Sequence, residues 1–179
     1  MQRKNLVSMA ILFLLASVSF SAKAQTTAIK TEYLMTYMAQ LDAPYPIDSS
    51  LVIVNVKPGG WAKGSKISGT FIPPGGDWLR VLPSGALRLD VRATLKTDDG
   101  ALIYITYNGI IQHSAESADK LNKGELLTAK DIPYFIAAPT FETSSEKYAW
   151  LNSVQLAIKM VELKLGEGGY VKYDVFVLR

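Results

Sequence analysis

The stretch Leu87-Arg88-Leu89-Asp90-Val91-Arg92-Ala93-Thr94-Leu95-Lys96-Thr97-Asp98-Asp99-Gly100-Ala101-Leu102-Ile103-Tyr104-Ile105-Thr106-Tyr107-Asn108 alternates apolar and polar side chains on both sides of a turn. Such alternation is the mark of two half-buried strands joined as a hairpin. Two registers compete. A two-residue Asp99-Gly100 turn sets Leu95 opposite Tyr104 and Thr94 opposite Ile105. A three-residue loop, Asp98-Asp99-Gly100, sets Leu95 opposite Ile103, Ala93 opposite Ile105, Thr94 opposite Tyr104 and Asp90 opposite Asn108. Only the second sorts apolar with apolar on one face, so it is the expected register. In that loop Gly100 supplies the positive φ, and Asp98 and Asp99 cap turn amides.

The same pattern extends in both directions. Glu32–Leu41 reads as a first strand with Tyr33, Met35 and Tyr37 on one face, followed by a loop broken at Pro44 and Pro46. Leu51–Val56 is a β-branched run ended by the Pro58-Gly59-Gly60 turn. Lys66–Ile72 is closed by Pro73-Pro74-Gly75-Gly76, and Trp78–Leu82 precedes the Pro83-Ser84-Gly85 turn. Downstream, Tyr134–Thr143 is an extended segment interrupted by Pro139, which suits an edge or a bulge. Tyr148–Leu165 is long enough for a bent strand. Tyr170–Leu178 is the last strand, with Val171, Tyr173, Val175 and Val177 on one face. The helical candidate is short: Ser114 caps it, Ala115–Lys123 carry it and Gly124 ends it. Placed outside the strand run, it is suited to plug or cover one barrel mouth. Many short strands separated by Gly/Pro turns predict an all-β domain, a single antiparallel β-barrel of roughly eight to ten strands with one short helix.

The first 24 residues stand apart. Arg3 and Lys4 precede an apolar stretch from Leu6 to Phe20, and Ala22-Lys23-Ala24 is a small-x-small cleavage site. This reads as a signal peptide, residues 1–24, leaving 25–179 as one domain with a periplasmic or secreted location. Loss of Arg3, Lys4 and Lys23 lowers Lys+Arg from 19 to 16, equal to the 16 Asp+Glu, so the net charge of +3 belongs to the leader. The balanced domain offers no basic field for nucleic acid and no stable membrane association after cleavage. With no cysteine and one histidine, His113, there is no thiolate chemistry and little basis for a zinc or copper site. No dinucleotide or phosphate fingerprint calls for a cofactor.

Five signatures occur in one order: Pro74-Gly75-Gly76-Asp77-Trp78, Leu89-Asp90-Val91-Arg92, Thr97-Asp98-Asp99-Gly100-Ala101, Phe141-Glu142-Thr143 and Tyr148-Ala149-Trp150-Leu151-Asn152. Together they resemble the domain-of-unknown-function family 3237, also called uncharacterised protein family 0311, a group of small antiparallel β-barrels. The likeness runs from about Lys30 to Leu178. It implies the barrel but no substrate.

The polar stripe Asp90, Arg92, Thr94, Tyr104, Thr106 and Asn108 is either a solvated sheet face or the lining of the lumen. The resemblance favours the lumen, since the family's pattern includes the positions of Asp90 and Arg92. Asp77-Trp78 is a turn-bonding pair or a rim carboxylate beside an aromatic wall. Tyr148, Trp150 and Asn152 share a strand face as a core edge or a ligand wall with a polar anchor. Glu142 points opposite to Phe141 and Thr143. If inward, it is the strongest general base, because burial raises a carboxyl's pKa. The expected site therefore comprises Asp77, Trp78, Asp90, Arg92, Tyr104, Asn108, Glu142, Tyr148, Trp150 and Asn152 around one cavity, with the opposite apolar faces covered by loops, the helix or a second subunit. The leading expectation is lumenal binding of a small, partly apolar or aromatic molecule. The alternatives are a cofactor-free isomerase, cyclase or hydratase using Glu142 or Asp77 as base and Tyr104 as acid, and a structural protein with a packed lumen.

Overall fold

The computed structural model describes residues 28–179. The signal-peptide reading of residues 1–24 lies outside them. Ten strands form one antiparallel sheet: β1 (Thr31–Leu41), β2 (Tyr45–Pro46), β3 (Leu51–Lys63), β4 (Ser68–Val81), β5 (Leu87–Thr97), β6 (Leu102–Gln112), β7 (Leu127–Thr128), β8 (Tyr134–Glu142), β9 (Leu156–Lys164) and β10 (Tyr170–Leu178). The sheet runs β1-β10-β9-β8-β6-β5-β4-β3, and β1 pairs with β3 to close it. This makes an eight-stranded barrel with two short additions, as expected. Closure leaves no long free edge among these eight strands.

The β5–β6 hairpin takes the register of the three-residue loop. Leu95 pairs with Ile103, Ala93 with Ile105, Thr94 with Tyr104 and Asp90 with Asn108. Gly100 has φ +90°, the conformation the turn requires. Helix α1 (Ala115–Asn122) is capped by Ser114, which accepts a hydrogen bond from the Ser117 backbone N–H.

Four elements depart from the expectation. The prolines and glycines at 58–60 and 73–76 do not end strands. They sit inside long strands β3 and β4, where the ladder skips residues and resumes: the β4–β5 register shifts between Ile72 and Gly76. A bulge lets a strand pass residues that cannot donate, and it bends the wall as a closing barrel needs. Gly60 is fixed by crowding, since a Cβ there would stand 2.7 Å from the Met38 carbonyl oxygen. A second bulge between Tyr33 and Met35 turns Tyr33 outward, so it does not share the buried face of Met35 and Tyr37. Residues 146–153 form a 3₁₀ helix, not the start of a bent strand. Tyr148 and Leu151, three residues apart, face inward together, which 3₁₀ geometry allows and a strand does not.

The inward side of the barrel is apolar. Leu89, Val91, Ala93 and Leu95 on β5 and Ile103, Ile105 and Tyr107 on β6 are all buried. Their polar neighbours in the sequence face water. No second layer covers most of the outer wall, so the enclosed volume is where the apolar rows escape solvent. The half of the barrel at the β5–β6 turn is solid. Met35, Ile67, Leu95, Ile103, Phe141 and Leu151 are all under 2 % exposed there. The other half holds a cavity.

Candidate active site

The cavity has a volume of about 260 Å3 and lies between the solid half and the mouth formed by Pro44, Leu121 and Leu165. That is close to the lower end of the roughly 300–1,000 Å3 typical of small-molecule pockets. Leu121 comes from helix α1, which therefore covers part of the mouth, as expected of it. The walls are hydrocarbon from all eight barrel strands. Three polar side chains interrupt them: Asp77, Tyr107 and Tyr173.

Asp77 sits on β4 just after the bulge, paired with Val91, which in turn pairs with Tyr107 on β6. The three lie on one rung of the barrel. Asp77 Oδ1 accepts a hydrogen bond from the Asp90 backbone N–H at 2.9 Å. What remains exposed of the side chain lines the cavity. Burial pushes its pKa up to about 6, against the opposing backbone hydrogen bond, and the negative Asp90 nearby adds to the rise. A carboxyl with that pKa exchanges protons near neutrality.

Tyr107 and Tyr173 stand edge to face, with ring centroids 6.2 Å apart. Tyr37 packs against Tyr173 at 5.2 Å, its partner across the β1–β10 ladder. Phe135 closes the group at 5.5 Å from Tyr173. Burial drives all three phenols well above their ordinary acidity range, and the phenols act on one another. The Asp77 charge further raises Tyr107 and Tyr173, so the carboxyl and the phenols share one electrostatic neighbourhood.

Of the expected site residues, Asp77 reaches this cavity and the others do not. Asp90 and Arg92 are on the outer wall, their side chains 43 % and 49 % exposed and paired with each other at 3.0 Å. Tyr104 is 41 % exposed on the same wall. Trp78 also points outward, with the Arg92 guanidinium 5.4 Å from its ring centroid. The structure does bring Trp78, Asp90, Arg92 and Asn108 together, but in a shallow outer groove with Arg80 and Arg88. Asn108 donates to the Leu89 carbonyl there. Parity explains the correction: with Leu89, Val91 and Ile105 inside, every even-numbered residue of the hairpin faces water.

Glu142 is exposed and pairs across the ladder with Tyr104. Lacking burial, it does not meet the condition set for a base. Asn152 closes a local ring with Thr143, accepting from its N–H and donating to its carbonyl, both at 2.9 Å. Trp150 is half-buried at the solid end, with Lys66 over its ring. Tyr148 is buried there and donates to Asp99 at 3.1 Å. Asp99 also binds Lys147 and Thr97, which hold its pKa well below the usual carboxylate range. Thus Asp99 ties the hairpin turn to the 3₁₀ helix in place of capping turn amides. Among the described residues no group of three or more His, Cys, Asp or Glu side chains stands close enough to hold a metal ion.

A family model described as a protein of unknown function (DUF3237) matches residues 29–178. The chain belongs to the DUF3237 family. Within DUF3237 it is 33 % identical over 129 residues to a UPF0311 protein of Rhodopseudomonas palustris, covering 70 % of this chain and 84 % of that one. The crystal structure of a conserved protein of unknown function from R. palustris superposes with a TM-score of 0.77 at 28 % identity, covering 86 % of this chain and 99 % of that one. A β-barrel-like protein from Acinetobacter baumannii superposes at 0.68 and 30 % identity, covering 88 % of this chain and all of that one. A more distant relative is the hydroalkoxylation enzyme phnH of Penicillium herquei, 34 % identical over 108 residues, 60 % of this chain and 56 % of that protein.

Proposed function

We propose that this DUF3237 protein takes one small, largely apolar molecule into its lumen and that Asp77 moves a proton on it without a cofactor. The observation that carries the reading is the placement of Asp77: a carboxyl poised near pH 6 at the inner end of a cavity whose other walls are almost all hydrocarbon. A structural barrel gains nothing from a buried carboxyl there, since burying it without a charge partner costs free energy. The kinship to a hydroalkoxylation enzyme supports the same chemistry, because adding an O–H across a C=C transfers a proton from oxygen to carbon and needs no redox partner. Either protonation state of Asp77 is accessible near pH 6, so one group can give and retrieve that proton. Export to the periplasm or exterior, read from residues 1–24, remains part of this proposal.

The test uses ortho-allylphenol, which carries a hydroxyl and an alkene on one apolar ring. Incubated with the protein in heavy water and followed by NMR, it should take up deuterium at the alkenyl carbons and cyclise. Rates should change through pH 6, and Asp77→Asn should abolish turnover while binding persists. Turnover that survives in Asp77→Asn would overturn the assignment of Asp77. Binding without deuterium uptake in the wild type would reduce the lumen to a binding site, the reading that its apolar walls favour by themselves.

A further inference from the structure

We propose that the hydroxyls of Tyr107 and Tyr173 form a donor site for a substrate carbonyl oxygen, and that the substrate class is a neutral, largely apolar, enolisable ketone or enone. This rests on Asp77 being the proton-transfer group of the lumen. Three observations lead to it.

The first is the choice of side chain. Phenylalanine fills inward positions nearby, with Phe71 against Tyr37 and Phe135 against Tyr173. Packing alone therefore does not call for a phenol at 107 or 173. A buried hydroxyl must also find a partner. The Tyr107 phenol stands near enough to those of Tyr37 and Tyr173 for each to act on its acidity. Tyr37 does not line the cavity, whereas Tyr107 and Tyr173 do, so these two phenols border the space a ligand would fill.

The second is charge. Among the described residues no lysine, arginine or histidine lines the cavity, and Asp77 is the one acidic side chain there. A carboxylate or phosphate ligand would meet no cation and would face Asp77. A neutral ligand is therefore selected, and a negative charge can be met inside only if it develops on an atom facing the phenols. Burial keeps both phenols protonated, so they remain donors over the whole working range of Asp77. Fixed donors aimed at a developing oxyanion in a dry site are a major source of rate enhancement. An aspartate base working opposite a phenol donor in an apolar pocket is an arrangement suited to proton transfer beside a carbonyl.

The third is spacing. Asp77 and Tyr107 lie on one rung two strands apart, so their Cα atoms are separated by about 10 Å along the wall. Both side chains line the cavity from that rung, so a carbonyl and its neighbouring carbon held between them would meet both groups. Ionised Asp77 takes a proton from the carbon beside the carbonyl, and the C–H electron pair becomes the enolate C=C bond. The carbonyl π pair moves to oxygen, where the phenols hold it. Asp77 then returns the proton to the same carbon or to a conjugated one, giving exchange or isomerisation.

β-Tetralone and β-naphthol test this with the full-length barrel. β-Tetralone is a neutral bicyclic ketone, and β-naphthol imitates its enolate and fluoresces differently when ionised. The wild type should speed deuterium exchange beside the tetralone carbonyl. Tyr107→Phe and Tyr173→Phe should each slow it by about 100-fold, the usual loss for one oxyanion donor. The same variants should weaken β-naphthol binding by about 10-fold, as the loss of one hydrogen bond to a charged group does, and shift the bound probe toward its neutral emission. Asp77→Asn should abolish exchange yet keep β-naphthol bound. If β-naphthol binds and ionises equally in the phenylalanine variants, the donor site is wrong, and the Asp77 reading stands on its own test. If the wild type neither binds β-naphthol nor exchanges tetralone, the donor site fails together with a ligand-holding lumen. Thermal melts of the variants separate these outcomes from unfolding.

Discussion

Burial of the Asp77 carboxyl makes stability depend on pH. Its pKa rises from 3.8 in the unfolded chain to about 6 in the fold. Between those values the native state holds a proton that the unfolded state has released, so stability falls as pH rises through the window and then levels off. The charge that faces it is Asp90, with the neutral phenols of Tyr107 and Tyr173 alongside. Asp77→Asn should therefore match the wild type at pH 4 and exceed it above pH 7 by about 2 kcal/mol, after allowing for the partly open cavity. Urea unfolding at the two pH values measures the difference, and equal stabilities at both would contradict the burial argument. Gly100 is the converse case, a residue with open space around it and a backbone only glycine adopts easily. Gly100→Ala should cost about 1 kcal/mol through φ alone, seen as a lowered melting temperature.

At the scale of elements, the hairpin register was legible because only one pairing of Leu95 and Ala93 kept apolar side chains together. What alternation could not reveal was which face turns inward, since both arrangements have the same period. The family resemblance pulled the reading toward Asp90 and Arg92, whereas the physical rule that the apolar row seeks the enclosed side points to Leu89, Val91 and Tyr107. The sequence did carry a signal for the missed phenols: Tyr107 and Tyr173 each interrupt an otherwise aliphatic row, Ile103-x-Ile105 and Val171-x-x-x-Val175-x-Val177. The 3₁₀ helix was misread because Tyr148, Trp150 and Asn152 also fit a strand's spacing. Their true partners, Asp99 and Thr143, lie far away or across a loop. This helix closes the solid end through Leu151, which is 1 % exposed. Leu151→Ala should cost about 3 kcal/mol in urea unfolding, and a loss below 1 kcal/mol would show that the end tolerates opening.

For the molecule as a whole, barrel closure joins terminal strands: β1 pairs with β10 along nearly its full length, and Lys30 exchanges backbone hydrogen bonds with Arg179. This seam thus closes within the described residues. Mass measurement of the exported protein should give a chain beginning at Gln25. A mass corresponding to a start at Met1 would dismiss the leader reading.

A barrel that is solid at one end is a blind alley. Whatever enters past Leu121 and Pro44 must turn back and leave by the same door, so departure of one molecule and arrival of the next exclude each other. The protein is thereby unsuited to conduct molecules from one side to the other. Under the proposed turnover, throughput would be governed by how readily the spent molecule gives up its place at the far wall, and accumulated product would slow the cycle by occupying the mouth.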